Sequence, residues 1–168
     1  MTTASLPLAS TDRSLANRVL RAAAVVWVLD GLAATTFGTL VRGTFAFGAV
    51  WRGVARSLLG ESARTGGAGT VAFGLLLHAT VALTCTTLYA LAYAQFAWLR
   101  AATRTAAGTI AAGAIWGAVV QCVMSLVVVP MTLIGPPPAY FTRNWFLMLG
   151  IHMIFVGQPM AWLVRQAD

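Results

Sequence analysis

The stretch from Thr70 to Trp98, TVAFGLLLHATVALTCTTLYALAYAQFAW, contains no charged residue and a single histidine, His78. About 20 consecutive apolar residues let a helix cross a bilayer, so this run spans one with room to tilt. That fixes the solvent in which the rest of the chain has to be read. Composition agrees: 59% of residues are apolar, 9% are charged and the mean hydropathy is +0.80. A water-soluble domain carries roughly a quarter charged residues, so this chain lacks the polar surface to cover a core in water. The excess faces lipid.

Three further apolar runs, residues 22–41, 106–129 and 145–164, join residues 70–98 as predicted transmembrane helices. The expectation is an all-α, integral membrane four-transmembrane-helix bundle over residues 22–165, with a C-terminal tail at 166–168. The polar N-terminal segment, residues 1–21, holds Arg13, Arg18 and Arg21. Residues 1–10 are expected to be disordered, with a surface helix starting within 13–21. The run at 22–41 exceeds the ~7–15 residues of a signal-peptide core and no A-x-A cleavage pattern follows it. It is read as a span.

Between the first two spans, residues 47–60 repeat differently. Phe47, Val50, Trp51, Val54 and Leu58 recur at helical spacing, while Arg52 and Arg56 fall on the other side. This predicts an amphipathic helix in the membrane interface, with Trp51 at headgroup depth. The glycine-rich stretch at 62–69 lacks a following GK[ST], which excludes a phosphate-cradling loop of the Walker type. Pro130 ends the third span, three consecutive prolines in TLIGPPPAYFTRN exclude helix, and Gln158-Pro159 predicts a kink in the fourth.

Eleven arginines, no lysine and four acids give a net charge of +7. The arginines form no basic stripe interleaved with aromatics, so nucleic acid is excluded as a partner. They stand between the apolar runs, where loops meet headgroups. Six lie with the termini and the 98–106 connection, and five on the other face. The positive-inside rule therefore expects both termini in the cytoplasm. Arginine to the exclusion of lysine points to a GC-rich bacterial genome. Cys85 and Cys122 lie in apolar runs without a CxxC partner and read as inert buried thiols.

Charged side chains at bilayer depth cost roughly 2.5–3.5 kcal/mol each on insertion scales, so each intramembrane polar group needs a partner or a cavity. At ~1.5 Å per residue, His78, Gln121 and His152 fall ~12 Å from one surface, with Asp30 slightly deeper. Four helices thus place one strong polar group each in one layer. On the third helix Gly113, Gly117 and Gln121 share a face, and GAIWG is a G-x-x-x-G close-packing signature. On the second, Gly74, His78, Cys85 and Tyr89 share a stripe.

Three readings of the layer stand side by side. Asp30, His78, Gln121 and His152 can simply hydrogen-bond the helices together. They can line a proton or small-solute conduit, since Asp/His chains are the usual relay chemistry. Or His78 and His152 can be axial ligands of a b-type haem, with Gly74 giving room and Arg64 and Arg143 as the available propionate partners. A metal site has no H-x-x-x-H or E-x-x-H spacing behind it. Nucleophilic catalysis has no local motif, and no internal repeat marks a transporter's two halves.

WRGVARSLLGESARTGGAGTVAFGLLLHA, then GAIWGAVVQCVMSLVVVPMTLIGPPPAYF, Trp145 and GIHMIFVGQPMAWLVR resemble the YagU-like inner-membrane proteins. The shared order is a histidine-bearing helix, a Gly/Gln helix ending in proline, a Pro-Pro loop and a histidine early in the last helix. The resemblance covers residues 51–165. It implies a four-helix bacterial inner-membrane protein with no established reaction or cofactor, and matches His78, Gln121 and His152 to the family's polar landmarks. Asp30 is not among the matched landmarks. The expected role is non-enzymatic: an accessory or self-associating subunit in the lipid bilayer, alone as a homo-oligomer or within a larger membrane complex, its buried polar layer structural or relaying.

Overall fold

A computed structural model describes residues 8–137 and 139–165, with side chains from Leu15 onward. Residues 1–7, most of the stretch expected to be disordered, and the tail at 166–168 lie outside it. The described chain is all α. Helix α1 runs Leu8–Arg42, α2 Phe47–Leu59, α3 Ala68–Gln95, α4 Ala97–Ala102, α5 Ala106–Val123, α6 Arg143–Ile151 and α7 Gln158–Val164. A π-helical segment, Met124–Val128, extends α5, and another, His152–Gly157, joins α6 to α7. Four of the resulting rods are long and apolar enough to cross a membrane: Leu15–Arg42, Ala68–Gln95, Ala106–Met131 and Arg143–Val164. They form a four-helix bundle, with α2 as the fifth packed element.

Three boundaries depart from expectation. The surface helix and the first span are one helix, because nothing between Leu8 and Arg42 breaks the α pattern. The second span stops at Gln95 rather than at 98, where Phe96 turns extended. Arg100 compensates for that break by donating to the carbonyls of Tyr93, at 3.0 Å, and Ala94, at 2.5 Å. A cation placed there also suits the negative end of the helix dipole. The glycine stretch at 62–69 is partly ordered as a 3-10 turn, Gly60–Thr65, leaving Gly66 and Gly67 as the bend before α3.

Each π segment lies immediately upstream of a proline, and the proline is its cause. Pro130 and Pro159 lack an N–H, and each ring crowds the carbonyl four residues earlier. Widening the preceding turn to i→i+5 relieves that crowding without ending the helix. The kink expected at Gln158-Pro159 is therefore spread over the turn before it.

Backbone contacts at glycine hold the rods together. A methyl added at Gly117 would strike the carbonyl of His152, and one at Gly157 would strike the carbonyl of Gly113. One at Gly113 would crowd Gln158. With little hydrophobic drive between helices in lipid, close approach of this kind is what packs them. Polar ties run alongside: Gln158 Nε2 donates to Ile110 O at 2.9 Å, Arg165 to Thr109 Oγ1 at 3.0 Å, and Trp27 Nε1 to Leu75 O at 3.2 Å. The hydroxyls of Thr80, Thr84, Thr86 and Thr87 are satisfied within α3 by carbonyls four residues back.

Gly117→Ala should destabilise the protein by about 1–3 kcal/mol, since backbone cannot yield as a side chain can. Gly53→Ala, on a part of α2 with nothing within 4 Å of the new methyl, should be neutral or stabilising. Unfolding of both variants in mixed micelles checks the contrast.

Candidate functional site

The four polar residues of the predicted layer line one cavity of about 500 Å³ inside the bundle. Each arrives from a different rod: Asp30 from α1, His78 from α3, Gln121 from α5 and His152 from the π segment between α6 and α7. Gln121 and His152 meet because Gly117 lets α5 approach the His152 backbone, and Gln121 is one turn further along the same face. Both π segments open onto the cavity through Met124, Ser125, His152 and Val156. Such bulges recur at functional sites, because they re-aim side chains without breaking a helix.

One wall brings a carboxyl and an imidazole together. His78 Nε2 stands 3.7 Å from Asp30 Oδ2, too long for a direct hydrogen bond. Trp51 from α2 leans on the imidazole, with ring centroids 5.1 Å apart and a tilt of 47°. Asp30 is 8% exposed and Trp51 2% exposed. Asp30 Oδ1, Trp51 Nε1 and His78 Nε2 are all buried without a hydrogen-bond partner. Each such atom costs about 1–3 kcal/mol unless something pairs with it, so three gathered around one site are costly to leave unpaired.

The facing wall is better satisfied. His152 Nδ1 lies 2.8 Å from Met148 O. A carbonyl only accepts, so Nδ1 carries the proton and Nε2 is the ring nitrogen left with a lone pair in the neutral form. Ser125 Oγ accepts from Trp145 Nε1 at 3.1 Å and fixes that indole at the cavity edge.

The cavity has a floor and a rim. Val26, Ala82, Val120, Val156 and Met160 line its deep end and also belong to the bundle's main core cluster. Below them the core continues without a gap in kind through Tyr89, Tyr93, Leu99 and Val164. At the other end the lining comes from the proline loop and the start of α6: Pro137, Ala139, Thr142 and Asn144. The cavity therefore reaches from the loop side to the middle of the bundle.

The close approach at Gly74 bears on two of the site expectations. Trp51, expected at headgroup depth, packs against protein: it is buried, and its backbone carbonyl rests where a side chain on Gly74 would be. Gly74 is six residues into α3, about 9 Å along it from its start, so α2 packs beside the first turns of α3. Arg52 and Arg56 do lie on the opposite side of α2, with Arg42 and Arg64. The space assigned to a haem beside Gly74 is filled by Trp51. His78 presents Nε2 to Asp30 and one ring face to Trp51, an arrangement that does not fit axial ligation. Arg64 is paired with Glu61. Among the described residues no three His, Cys, Asp or Glu side chains cluster closely enough to hold a metal ion.

Sequence reasoning missed Trp51, Ser125 and Trp145 as cavity residues. Trp51 had a signal, since a small residue on α3 one turn before His78 marks where another backbone comes close. Neither a family model, a curated protein nor a solved structure matches the chain.

Trp51→Phe keeps a ring against His78 and removes only an unpaired N–H, so it should leave stability nearly unchanged. Trp51→Ala empties the wall and should cost about 3–5 kcal/mol. A thermal-unfolding series in detergent checks both, and equal losses would show that the indole N–H has a partner after all.

Proposed function

We propose that this chain is a non-enzymatic multi-pass membrane protein that binds a small, largely apolar molecule with one polar end, in a cavity open from one side. The observation that carries this reading is a cavity of about 500 Å³ whose lining includes Asp30, Trp51 and His78, each with a polar atom buried without a hydrogen-bond partner. Small-molecule sites are typically apolar clefts of roughly 300–1,000 Å³ with a few convergent polar groups. A ligand whose polar end both donates and accepts would pair with the Asp30 carboxylate and the Trp51 indole together. Its apolar body would meet Val54, Val81, Met124 and Met148.

A polar layer serving only as glue is less well supported, because glue satisfies its hydrogen bonds. The apolar floor under the cavity favours a blind pocket over a continuous proton path. The arginine balance, six against five, supports both termini in the cytoplasm, which puts the cavity mouth on the outer face. The bacterial inner membrane and kinship with YagU-like proteins belong to the same proposal. So does self-association or a larger complex, on the exposed apolar flanks of all four spans.

The test is native mass spectrometry of protein released gently from membranes, followed by quenching of tryptophan fluorescence with small amphipathic amines and alcohols. Trp51 and Trp145 report from the cavity wall. Wild type should carry or take up such a molecule, and Asp30→Asn should weaken its binding roughly 10-fold or more, the loss expected for a charge-assisted hydrogen bond. Wild type and Asp30→Asn behaving alike across the series would remove the proposal.

A further inference from the structure

On the far side of α2 from the cavity, four arginines surround a second hollow of about 280 Å³. Arg42 comes from the end of α1, Arg52 and Arg56 from α2, and Arg64 from the 3-10 turn before α3. The only acid paired with them among the described residues is Glu61, which meets both Arg56 and Arg64. That leaves three of four positive charges uncompensated. Arg42 and Arg52 make no ion pair among the described residues, and Arg56 Nε is buried without a hydrogen-bond partner.

Like charges gathered in a hollow repel, and the repulsion is relieved by an anion with several acceptor oxygens. Guanidinium forks match phosphate in geometry, each offering two parallel N–H donors. The depth of the hollow narrows the choice further. Arg42 closes the first span and Arg64 precedes the second, so the cluster lies where both rods leave the apolar layer. Leu40, Val41 and Phe45 are exposed beside it, providing an apolar surface next to the charges. From this we infer that Arg42, Arg52, Arg56 and Arg64 form a binding site for a phosphate group at headgroup level. The group comes from an anionic phospholipid, whose chains lie along Leu40 and Val41, or from free phosphate. The site is separate from the cavity and does not depend on its ligand.

Full-length protein in detergent is tested by native mass spectrometry with phosphatidylglycerol and with phosphatidylcholine, and by thermal shift with inorganic phosphate against sodium chloride of equal ionic strength. Phosphatidylglycerol should be retained over phosphatidylcholine. Arg42→Gln/Arg52→Gln should reduce that retention roughly 10- to 30-fold, since each substitution removes about one arginine–phosphate attraction. Arg21→Gln/Arg104→Gln removes the same charge from exposed positions at the other end of the bundle and should leave it unchanged. A thermal shift with inorganic phosphate, lost in the first double variant and unaccompanied by lipid preference, assigns the site to free phosphate. Should the glutamine variant fail to fold, Arg42→Lys/Arg52→Lys decides: weaker retention supports forked recognition, and wild-type retention overturns the site. Equal losses in the two glutamine double variants, or no response to either probe, also overturn it.

Discussion

At Gly74 the backbone of α3 meets the backbone of α2 with no side chain between them, and the surroundings of the cavity follow from that contact. The Trp51 carbonyl rests where any Cβ would be. Trp51 is thereby fixed in depth and swung over His78, and its ring edge fills the space beside Gly31 of α1. A single backbone approach thus ties three helices at the level where Asp30 and His78 face each other. The middle of α2, at Trp51 and Ala55, is buried against protein, while Phe47 and Leu58 near its ends stay exposed. Its arginine face is left to gather with Arg42 and Arg64 on the outside.

Glycine and proline together shape the bundle around the cavity. Helix α5 and the last rod touch backbone to backbone at Gly113, Gly117 and Gly157, and the core beneath is filled by Tyr89, Val120, Met160 and Val164. Pro130 and Pro159 widen the turns that precede them, and both widened turns border the cavity. Tight glycine contacts and widened turns side by side leave a pocket with a filled core beneath it. Gly117 marks the transition, since it holds the His152 backbone while Gln121, a turn later, already lines the open space.

What was readable from residues alone was what depends on pattern and spacing. Hydropathy sets four spans, because their length and composition need no knowledge of neighbours. Counting residues along each rod sets Asp30, His78, Gln121 and His152 at matching depth, because helical rise is nearly constant. What it could not give was the partner of each glycine. Gly74 looked like room beside a histidine and is in fact the seat of another helix, and amphipathicity in residues 47–60 fits an interface as well as it fits a protein groove. The π segments were also hidden: proline at 130 and 159 says that a helix must adjust, and packing decides whether it stops, kinks or widens.

The cavity wall differs from the polar ties elsewhere in the molecule. Where side chains tie helices together, their hydrogen bonds are made: Trp27 to Leu75, Gln158 to Ile110, Trp145 to Ser125 and Arg165 to Thr109. Tyr89 and Trp116 also leave a polar atom unpaired, but they pack edge to face in the core, away from the cavity. Among the described residues, only around Asp30, Trp51 and His78 do three unpaired groups share one wall, and that wall faces a space large enough for a ligand. A bundle selected for stability alone would gain by closing the 3.7 Å gap between Asp30 and His78, or by replacing both with packed apolar residues. Keeping the pair apart, roofed by an indole and opposite a histidine whose tautomer is fixed by Met148, is costly as scaffolding and well suited to receiving a polar group.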